Sequence, residues 1–110
     1  MKRILVTGGS GLLGSKIVQL ARSNHQIIPT HFRESLFPNS VKLDITNRQE
    51  VFETIQKTQP EIVIHTASET NVDKCEKERE WAWKANVEGA SNIAEICGKM
   101  NARMIYVSTD

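Results

Sequence analysis

The sequence predicts a parallel α/β fold of the doubly wound class, in which helices cover both faces of one sheet. Apolar runs of strand length alternate with amphipathic helical stripes along the whole chain. A glycine-rich turn follows the first of these runs. The 110 residues are 39% hydrophobic and 25% charged, which suits a single globular domain. Because parallel strands require right-handed crossovers, the expected strand order is 3-2-1-4-5.

The first half of the chain is predicted to contain three strands, at residues 4–6, 25–30 and 41–43. The first run is almost continuously apolar and stops at Gly8-Gly9, as a buried parallel strand does. Pro29 weakens the second strand, and residues 32–40 have the composition of a loop. The first helix has an apolar stripe at one-face spacing, formed by Leu13, Ile17, Leu20 and Ala21.

The second half of the chain is predicted to contain a helix, a strand, a long helix and a final strand. Thr46 and Gln49 have the spacing of a capping box, and Pro60 ends the helix that they open. The strands are expected at residues 61–65 and 103–108, with the long helix over 77–100. The predicted buried faces of the two helices are Val51, Phe52 and Ile55, and then Trp83, Val87, Ala90, Ala94 and Cys97.

Composition and charge exclude several classes of function. Lys and Arg number 14 against 13 acidic residues, so the net charge of +1 gives no basic excess for binding nucleic acid. No apolar run is long enough to span a membrane. Cys75 and Cys97 lack the spacing of a metal site or a disulfide framework. We therefore expect a cytoplasmic domain with no metal.

A glycine loop lies between the first strand and the first helix. Gly8, Gly11 and Gly14 are spaced as G-x-x-G-x-x-G. The first glycine permits a tight turn, the second lets N–H groups approach a pyrophosphate, and the third lets the helix pack on the strand. The helix N-terminus would attract the phosphates. In this context the loop predicts a dinucleotide-binding Rossmann domain over residues 1–110, and an ordinary glycine-rich turn is the weaker alternative.

The end of the second strand predicts which dinucleotide is bound. NAD-selective folds often place an acidic residue there, and Thr30-His31 provides none. Arg33 follows and could pair with a 2′-phosphate. This favours NADP(H) over NAD(H), with His31 and Arg33 at the cofactor. The alternative is that Arg33 is a solvated loop residue.

The chain resembles the extended short-chain dehydrogenase/reductase family, and within it the dTDP-4-dehydrorhamnose reductases. The stretch Val72-Asp73-Lys74-Cys75-Glu76 is close to the Val-Asp-Lys-Ala-Glu of that subgroup, and Ser108-Thr109-Asp110 is typical of it. The resemblance covers the whole chain, whereas the chain covers less than half of such an enzyme. The four stretches that carry it are residues 7–14, 60–68, 86–89 and 106–110.

The resemblance implies a role for each matched residue. Asp44 and Ile45 would lie at the adenine, with the Asp44 carboxylate accepting from its amino group. Thr109 would be catalytic by hydrogen-bonding the substrate carbonyl oxygen, and His65 would pack beside the cofactor without acid–base work. The residues implied at the pyrophosphate are Gly8, Ser10, Gly11, Leu12, Leu13 and Gly14. Those implied along the path to the nicotinamide ribose are Thr66, Ala67 and Ser68.

The implied activity is reduction of a nucleotide-diphospho-4-keto-sugar, of the type that converts dTDP-4-dehydrorhamnose to dTDP-L-rhamnose. The family's proton donor is a Tyr of a Tyr-x-x-x-Lys motif, whose pKa the Lys lowers. Here the one tyrosine is Tyr106, and Asp110 stands four positions later. We therefore expect a sheet truncated after its fifth strand, no substrate-binding C-terminal part, and no activity from these 110 residues alone.

Two alternatives stay open. The chain could be a non-catalytic NAD(P)-binding regulatory module, as is the related regulatory β subunit of methionine adenosyltransferase. It could instead belong to another extended reductase or epimerase of nucleotide-sugars, because the residues that choose the substrate lie in the half that is not present. A homodimer is left open by both readings.

Overall fold

The computed structural model describes residues 1–66 and 76–107, which form five parallel strands and three helices. In chain order these are β1 (Arg3–Thr7), α1 (Leu12–Ala21), β2 (Gln26–His31), β3 (Val41–Lys42), α2 (Arg48–Thr58), β4 (Ile62–Thr66), α3 (Glu76–Met100) and β5 (Arg103–Val107). The strand order is β3-β2-β1-β4-β5, as the sequence predicts. The chain therefore has the doubly wound, Rossmann-type topology.

The strand β1 lies at the centre of the sheet, which explains its unbroken apolar run. It pairs with β2 on one side and β4 on the other, so that Val6 lies between Pro29 and Ile64. Pro29 is accommodated within β2 because β3 pairs only with Thr30 and His31. The break in strand order falls between β1 and β4, whose carboxyl ends are where such sheets bind ligands.

Two apolar cores lie on opposite faces of the sheet. One core joins the sheet to α2 and α3, and among the described residues its buried members are Leu5, Leu43, Val51, Ile55, Val63, Ile93, Ile96 and Cys97. The other lies under α1, and its buried members are Ile4, Val6, Val18 and Ile27. The face predicted for α2 is confirmed, with Val51 and Ile55 buried and Phe52 packed against the first core.

The apolar stripe predicted for α1 is confirmed at Ile17 and Ala21 and wrong at Leu20. Leu20 is 78% exposed, whereas Gly14 and Val18 are buried, with Ile17 and Ala21 packed beside them. The reason lies in the glycine loop, since Gly14 must face the backbone of Gly8 closely. That contact turns the helix so that Leu20 points to solvent.

The stripe predicted for α3 is wrong at three of its five residues. Trp83 is 71% exposed, Val87 is 49% exposed and Ala94 is also exposed, whereas Ala90 is half-buried and Cys97 is buried. A helix of 25 residues is about 38 Å long, and a five-residue strand is about 17 Å. The first half of α3 therefore extends beyond the carboxyl ends of the strands. The residues that do pack on the sheet are Ile93, Ile96, Cys97 and Met100.

The helix α2 begins one residue later than the predicted capping box. Its N-cap is Asn47, whose side chain accepts a hydrogen bond from the Glu50 N–H at 3.2 Å. The Glu50 carboxylate in turn accepts from the Asp44 N–H at 3.1 Å. Thr46 and Gln49 are therefore not the capping pair, because Thr46 is held by Asp44 in the preceding turn. The Asn47 cap satisfies the N–H at the third helical position as a capping box does, whereas the Glu50 carboxylate binds the Asp44 N–H instead of the N-cap N–H.

The strand β5 forms one edge of the sheet. Ile105 is 43% exposed and Tyr106 is 50% exposed, so its apolar side chains are only partly covered. None of the helices in the described residues combines the length and apolarity needed to cross a bilayer.

Candidate functional site

The glycine loop forms a turn that only glycine fits. Gly8 has a φ of +69°, in the left-handed region, and a Cβ there would overlap the Thr66 hydroxyl. The loop is held by two backbone hydrogen bonds, from Gly9 N–H to the Thr30 carbonyl and from Gly11 N–H to the Gly8 carbonyl, each 2.9 Å. The path from β1 into α1 is therefore fixed by its contacts with β2 and β4.

The start of α1 is packed against this turn. A Cβ added to Gly14 would overlap the Gly8 carbonyl oxygen and lie 2.7 Å from the Gly8 carbonyl carbon. Contacts that close with backbone cannot be relieved by a side-chain movement. Gly14 therefore sets the distance between the helix axis and the end of β1.

The N-terminus of α1 has the properties of an anion site. Its N-cap, Gly11, is in extended conformation, and no side chain within the described chain caps the helix. Its first turn contains no acidic residue, and Leu12 beside it is 75% exposed. The α2 helix differs, because the Asn47 side chain accepts from one of its N-terminal N–H groups, that of Glu50, and Glu50 adds a negative charge to the first turn. Free N–H groups and the helix dipole at α1 would stabilise a negative charge.

Ser10 fixes the neighbouring loop instead of capping the helix. Its hydroxyl donates to the Glu34 carbonyl at 2.6 Å. His31 is also tied to that loop, since its Nδ1 lies 2.7 Å from the Ser40 hydroxyl. Arg33 is exposed, with its guanidinium 5.9 Å from the centre of the Phe32 ring. The ion pairs found in the described residues join Lys2 to Glu61 and Arg48 to Glu95, so neither uses this guanidinium.

Thr7, His65 and Thr66 form a buried polar cluster where β1 and β4 end. The Thr7 hydroxyl and His65 Nδ1 are 2.5 Å apart, and the Thr66 hydroxyl donates to the Thr7 carbonyl at 2.8 Å. The His65 ring is 1% exposed and stacks on Tyr106 with 5.1 Å between ring centres. Its Nε2 has no hydrogen-bond partner in the part of the chain that the structure describes. Burial lowers the pKa of His65 to about 4, so the ring is neutral at pH 7.

Asp44 and Ile45 form the turn between β3 and α2. Asp44 Oδ1 accepts from both the Thr46 N–H at 3.0 Å and the Thr46 hydroxyl at 2.7 Å. Its Oδ2 accepts no hydrogen bond from residues 1–66 or 76–107. The Ile45 carbonyl accepts from the Asn92 side chain at 2.9 Å, and the Ile45 side chain lies against Gly89. One carboxylate oxygen of Asp44 is thus available to a ligand.

The topology brings most of the predicted site residues to one edge of the sheet. The glycine loop follows β1, Arg33 and Asp44 follow β2 and β3, and Thr66 ends β4. Ala67, Ser68 and Thr109 lie outside the described residues. The sequence analysis missed Gly89 and Asn92. Their signal was the Asn-x-x-Gly-x-x-Asn spacing from Asn86, because residues three apart lie on one side of a helix.

Within the described residues, the structure contains neither a metal site nor an exposed thiol. Across residues 1–66 and 76–107, no three His, Cys, Asp or Glu side chains are grouped so that they could hold a metal ion. Cys97 is buried in the core under α3, and burial raises the pKa of its thiol. Cys97 is therefore a packing residue. Cys75 lies outside the described residues.

Comparisons of this chain with known proteins find a matching family model and similar proteins along its whole length. A family model described as the RmlD substrate binding domain matches residues 1–110. The dTDP-4-dehydrorhamnose reductase of Aggregatibacter actinomycetemcomitans is 35% identical, with 100% of this chain and 35% of the relative covered. The β subunit of methionine adenosyltransferase 2 from Rattus norvegicus is 29% identical, over 99% of this chain and 33% of the relative.

A solved structure agrees with these sequence matches. The dTDP-4-dehydrorhamnose reductase of Bacillus anthracis, in complex with NADP, is 36% identical and superposes with a TM-score of 0.76 over 96% of this chain and 36% of that one. The chain thus spans about a third of the length of the curated relatives that it matches.

Proposed function

The chain belongs to the RmlD substrate-binding-domain family, and on that premise we propose that residues 1–110 are the NADP(H)-binding Rossmann domain of a reductase of nucleotide-diphospho-4-keto-sugars. The observation that carries the proposal is the N-terminus of α1, which is uncapped, free of acidic residues and packed by Gly14 against the left-handed Gly8. Such a terminus binds a pyrophosphate. The reductase relatives support the sugar nucleotide as substrate.

The residues of the site fit the parts of a dinucleotide. The pyrophosphate would be held by backbone N–H groups at the start of α1, the residues concerned being Gly8, Ser10, Gly11, Leu12, Leu13 and Gly14. The free carboxylate oxygen of Asp44 would accept from the adenine amino group, with Ile45 beside the ring. Thr66, Ala67 and Ser68 would continue toward the nicotinamide ribose, and Thr109 would hydrogen-bond the substrate carbonyl oxygen.

When bound, NADPH would supply the hydride, and the residues of this chain would bind and orient the dinucleotide. The neutral His65 is not placed as an acid or a base, because its ring is buried between Thr7 and Tyr106. The proton for the reduced carbonyl would come from the Tyr of the family's Tyr-x-x-x-Lys motif. These 110 residues do not contain that motif, since Asp110 stands four positions after Tyr106.

The direct test uses the purified 110-residue polypeptide with NADPH and dTDP-4-dehydrorhamnose. We expect NADPH to bind without oxidation of the nicotinamide, because the polypeptide lacks the proton donor. Nicotinamide fluorescence reports binding, and absorbance reports turnover. Turnover by this polypeptide would contradict the assignment of the proton donor to a residue outside these 110 residues. If the polypeptide binds neither NADPH nor NADH, the proposed function itself is wrong.

Arg33 is the residue that we propose to select NADPH over NADH. Its guanidinium is exposed at the end of β2 and is used by neither ion pair of the described residues. Arg33→Ala is expected to weaken NADPH binding about tenfold or more, the size of a charge-assisted hydrogen bond to phosphate, and to leave NADH binding unchanged. Arg22→Ala, at the C-cap of α1, is the control for lost surface charge. Equal losses for both cofactors would show that Arg33 does not read the 2′-phosphate.

A non-catalytic NADP(H)-binding module is the second candidate function. The similarity to the β subunit of methionine adenosyltransferase 2, which extends over 99% of this chain, favours it. Measurements on the whole protein, as its natural source produces it, distinguish the two candidate functions. Its intact mass and its keto-sugar reduction are measured together, and tight NADPH binding with no reduction by the whole natural protein would support the module.

A further inference from the structure

The helix α3 contacts the turn between β3 and α2 at two adjacent positions. The Asn92 side-chain amide donates to the Ile45 carbonyl at 2.9 Å. Gly89, three residues earlier on the same side of α3, leaves the space that the Ile45 side chain fills. A Cβ on Gly89 would lie 2.5 Å from Ile45 Cγ1 and 3.2 Å from Ile45 Cβ. Both contacts join segments more than 40 residues apart, so they fix the turn relative to the core.

The same turn is held from its other side by α2. The Glu50 carboxylate accepts from the Asp44 N–H, and Asp44 Oδ1 accepts twice from Thr46. These local bonds orient the Asp44 carboxylate within the turn. The Leu43 N–H, just before the turn, donates to the His31 carbonyl at 2.8 Å and ties that end of the turn to β2. The contacts from α3 fix the other end, at Ile45. Removing the α3 contacts would therefore release the Ile45 end of the turn, beside Asp44.

We propose that Gly89 and Asn92 are positioning residues for recognition of the adenine ring. They hold the backbone at Ile45 so that the free Oδ2 of Asp44 stays in position to accept a hydrogen bond from the adenine amino group. This inference rests on the proposed function, which places Asp44 and Ile45 at the adenine. It adds that the purine specificity of the site is determined in part by two residues of α3 that act through Ile45.

The test compares NADPH with its hypoxanthine analogue, which lacks the adenine amino group. The full chain is expected to bind NADPH more tightly than the analogue. Asn92→Asp keeps the side-chain shape but replaces the donor with an acceptor, and is expected to lower the preference for NADPH about five- to tenfold, the worth of one hydrogen bond. Glu95→Gln breaks the Arg48–Glu95 pair between α2 and α3 without touching Ile45. This control is expected to keep the preference of the unmodified chain.

The possible outcomes show which of the proposals, if any, is wrong. If the unmodified chain binds neither NADPH nor NADH, the proposed function is wrong, and this inference falls with it. If it binds NADPH and the analogue equally, the role of Asp44 at the adenine is wrong. If it prefers NADPH and Asn92→Asp keeps that preference, the positioning role is wrong while the proposed function stands. A general loss of stability would weaken both ligands equally and leave their ratio unchanged.

A second variant pair tests the contact at Gly89 independently. Gly89→Ala is expected to lower the preference for NADPH several-fold, because the new methyl group displaces Ile45. In the background Ile45→Ala, which removes the atoms that Gly89→Ala would strike, the same change is expected to have little further effect. Such coupling between neighbours is what a double-mutant cycle detects. Independent, additive effects of the two substitutions would contradict the proposed contact.

Discussion

Gly14→Ala is expected to abolish measurable NADPH binding and to destabilise the fold. The added Cβ would overlap the Gly8 carbonyl group, which is backbone and cannot turn aside. The start of α1 must then move away from β1, and N–H groups at the helix terminus no longer converge on one phosphate. The loss of two charge-assisted hydrogen bonds corresponds to at least about a hundredfold in affinity. Overpacking of this kind lowers the free energy of unfolding by about 1 to 3 kcal/mol.

Gly98→Ala is the matched control for this experiment. Gly98 is also a helical glycine, but among the described residues no atom from outside its own stretch of helix lies within 4 Å of the position of an added Cβ. The substitution is expected to raise the free energy of unfolding by about 0.5 to 1 kcal/mol, because alanine favours the helix, and to leave NADPH binding unchanged. NADPH titration and urea unfolding are measured for both variants. Full NADPH affinity in Gly14→Ala would show that the approach of α1 to β1 does not form the phosphate site.

The second large effect is a loss of stability between pH 7 and pH 5 that originates at His65. Burial lowers the pKa of this ring from 6.5 to about 4, so the unfolded chain binds a proton in this range that the folded chain does not. Stability therefore rises with pH through this window and falls as the pH is lowered through it. With these two pKa values, the contribution of His65 changes by about 2 kcal/mol between pH 7 and pH 5.

Urea unfolding of the unmodified chain and of His65→Gln at several pH values isolates this contribution. Glutamine does not titrate, so the variant is expected to lose less stability on acidification by about the same 2 kcal/mol. At pH 7 the variant is expected to be the less stable of the two, because the stacking on Tyr106 and the hydrogen bond to Thr7 are changed. Parallel pH profiles for the two chains would show that His65 is not the titrating group.

The sequence predicted the topology well because topology depends on patterns that are local in the chain. The run at β1, the glycines after it and the alternation of strand and helix are visible without any long-range contact. The burial of Leu20 on α1 was predicted wrongly for the opposite reason. Leucine at position 20 has the right spacing for a buried stripe, and only the approach of Gly14 to Gly8 turns it outward.

The same distinction holds for the site. The glycine loop could be located because its spacing is a chemical requirement for binding phosphate. The link from Asn92 to Ile45 joins positions 47 residues apart. The Asn-x-x-Gly-x-x-Asn spacing marks one side of the helix but does not indicate which distant segment that side contacts. Trp83 is a case in which a local pattern gave a wrong prediction. Its helical spacing predicted burial, but it lies in a part of α3 that has little sheet beneath it.

The two apolar cores, one on each face of the sheet, differ in how many side chains they bury, and this difference affects how the domain opens locally. Among the described residues, eight side chains are buried between the sheet and the pair α2 and α3, and four are buried under α1. We expect the layer with fewer buried side chains to separate at lower free energy in sub-global fluctuations. It is also the layer whose helix begins at the proposed phosphate site. A nucleotide bound there would therefore slow the opening of α1, so that occupancy and local order rise together.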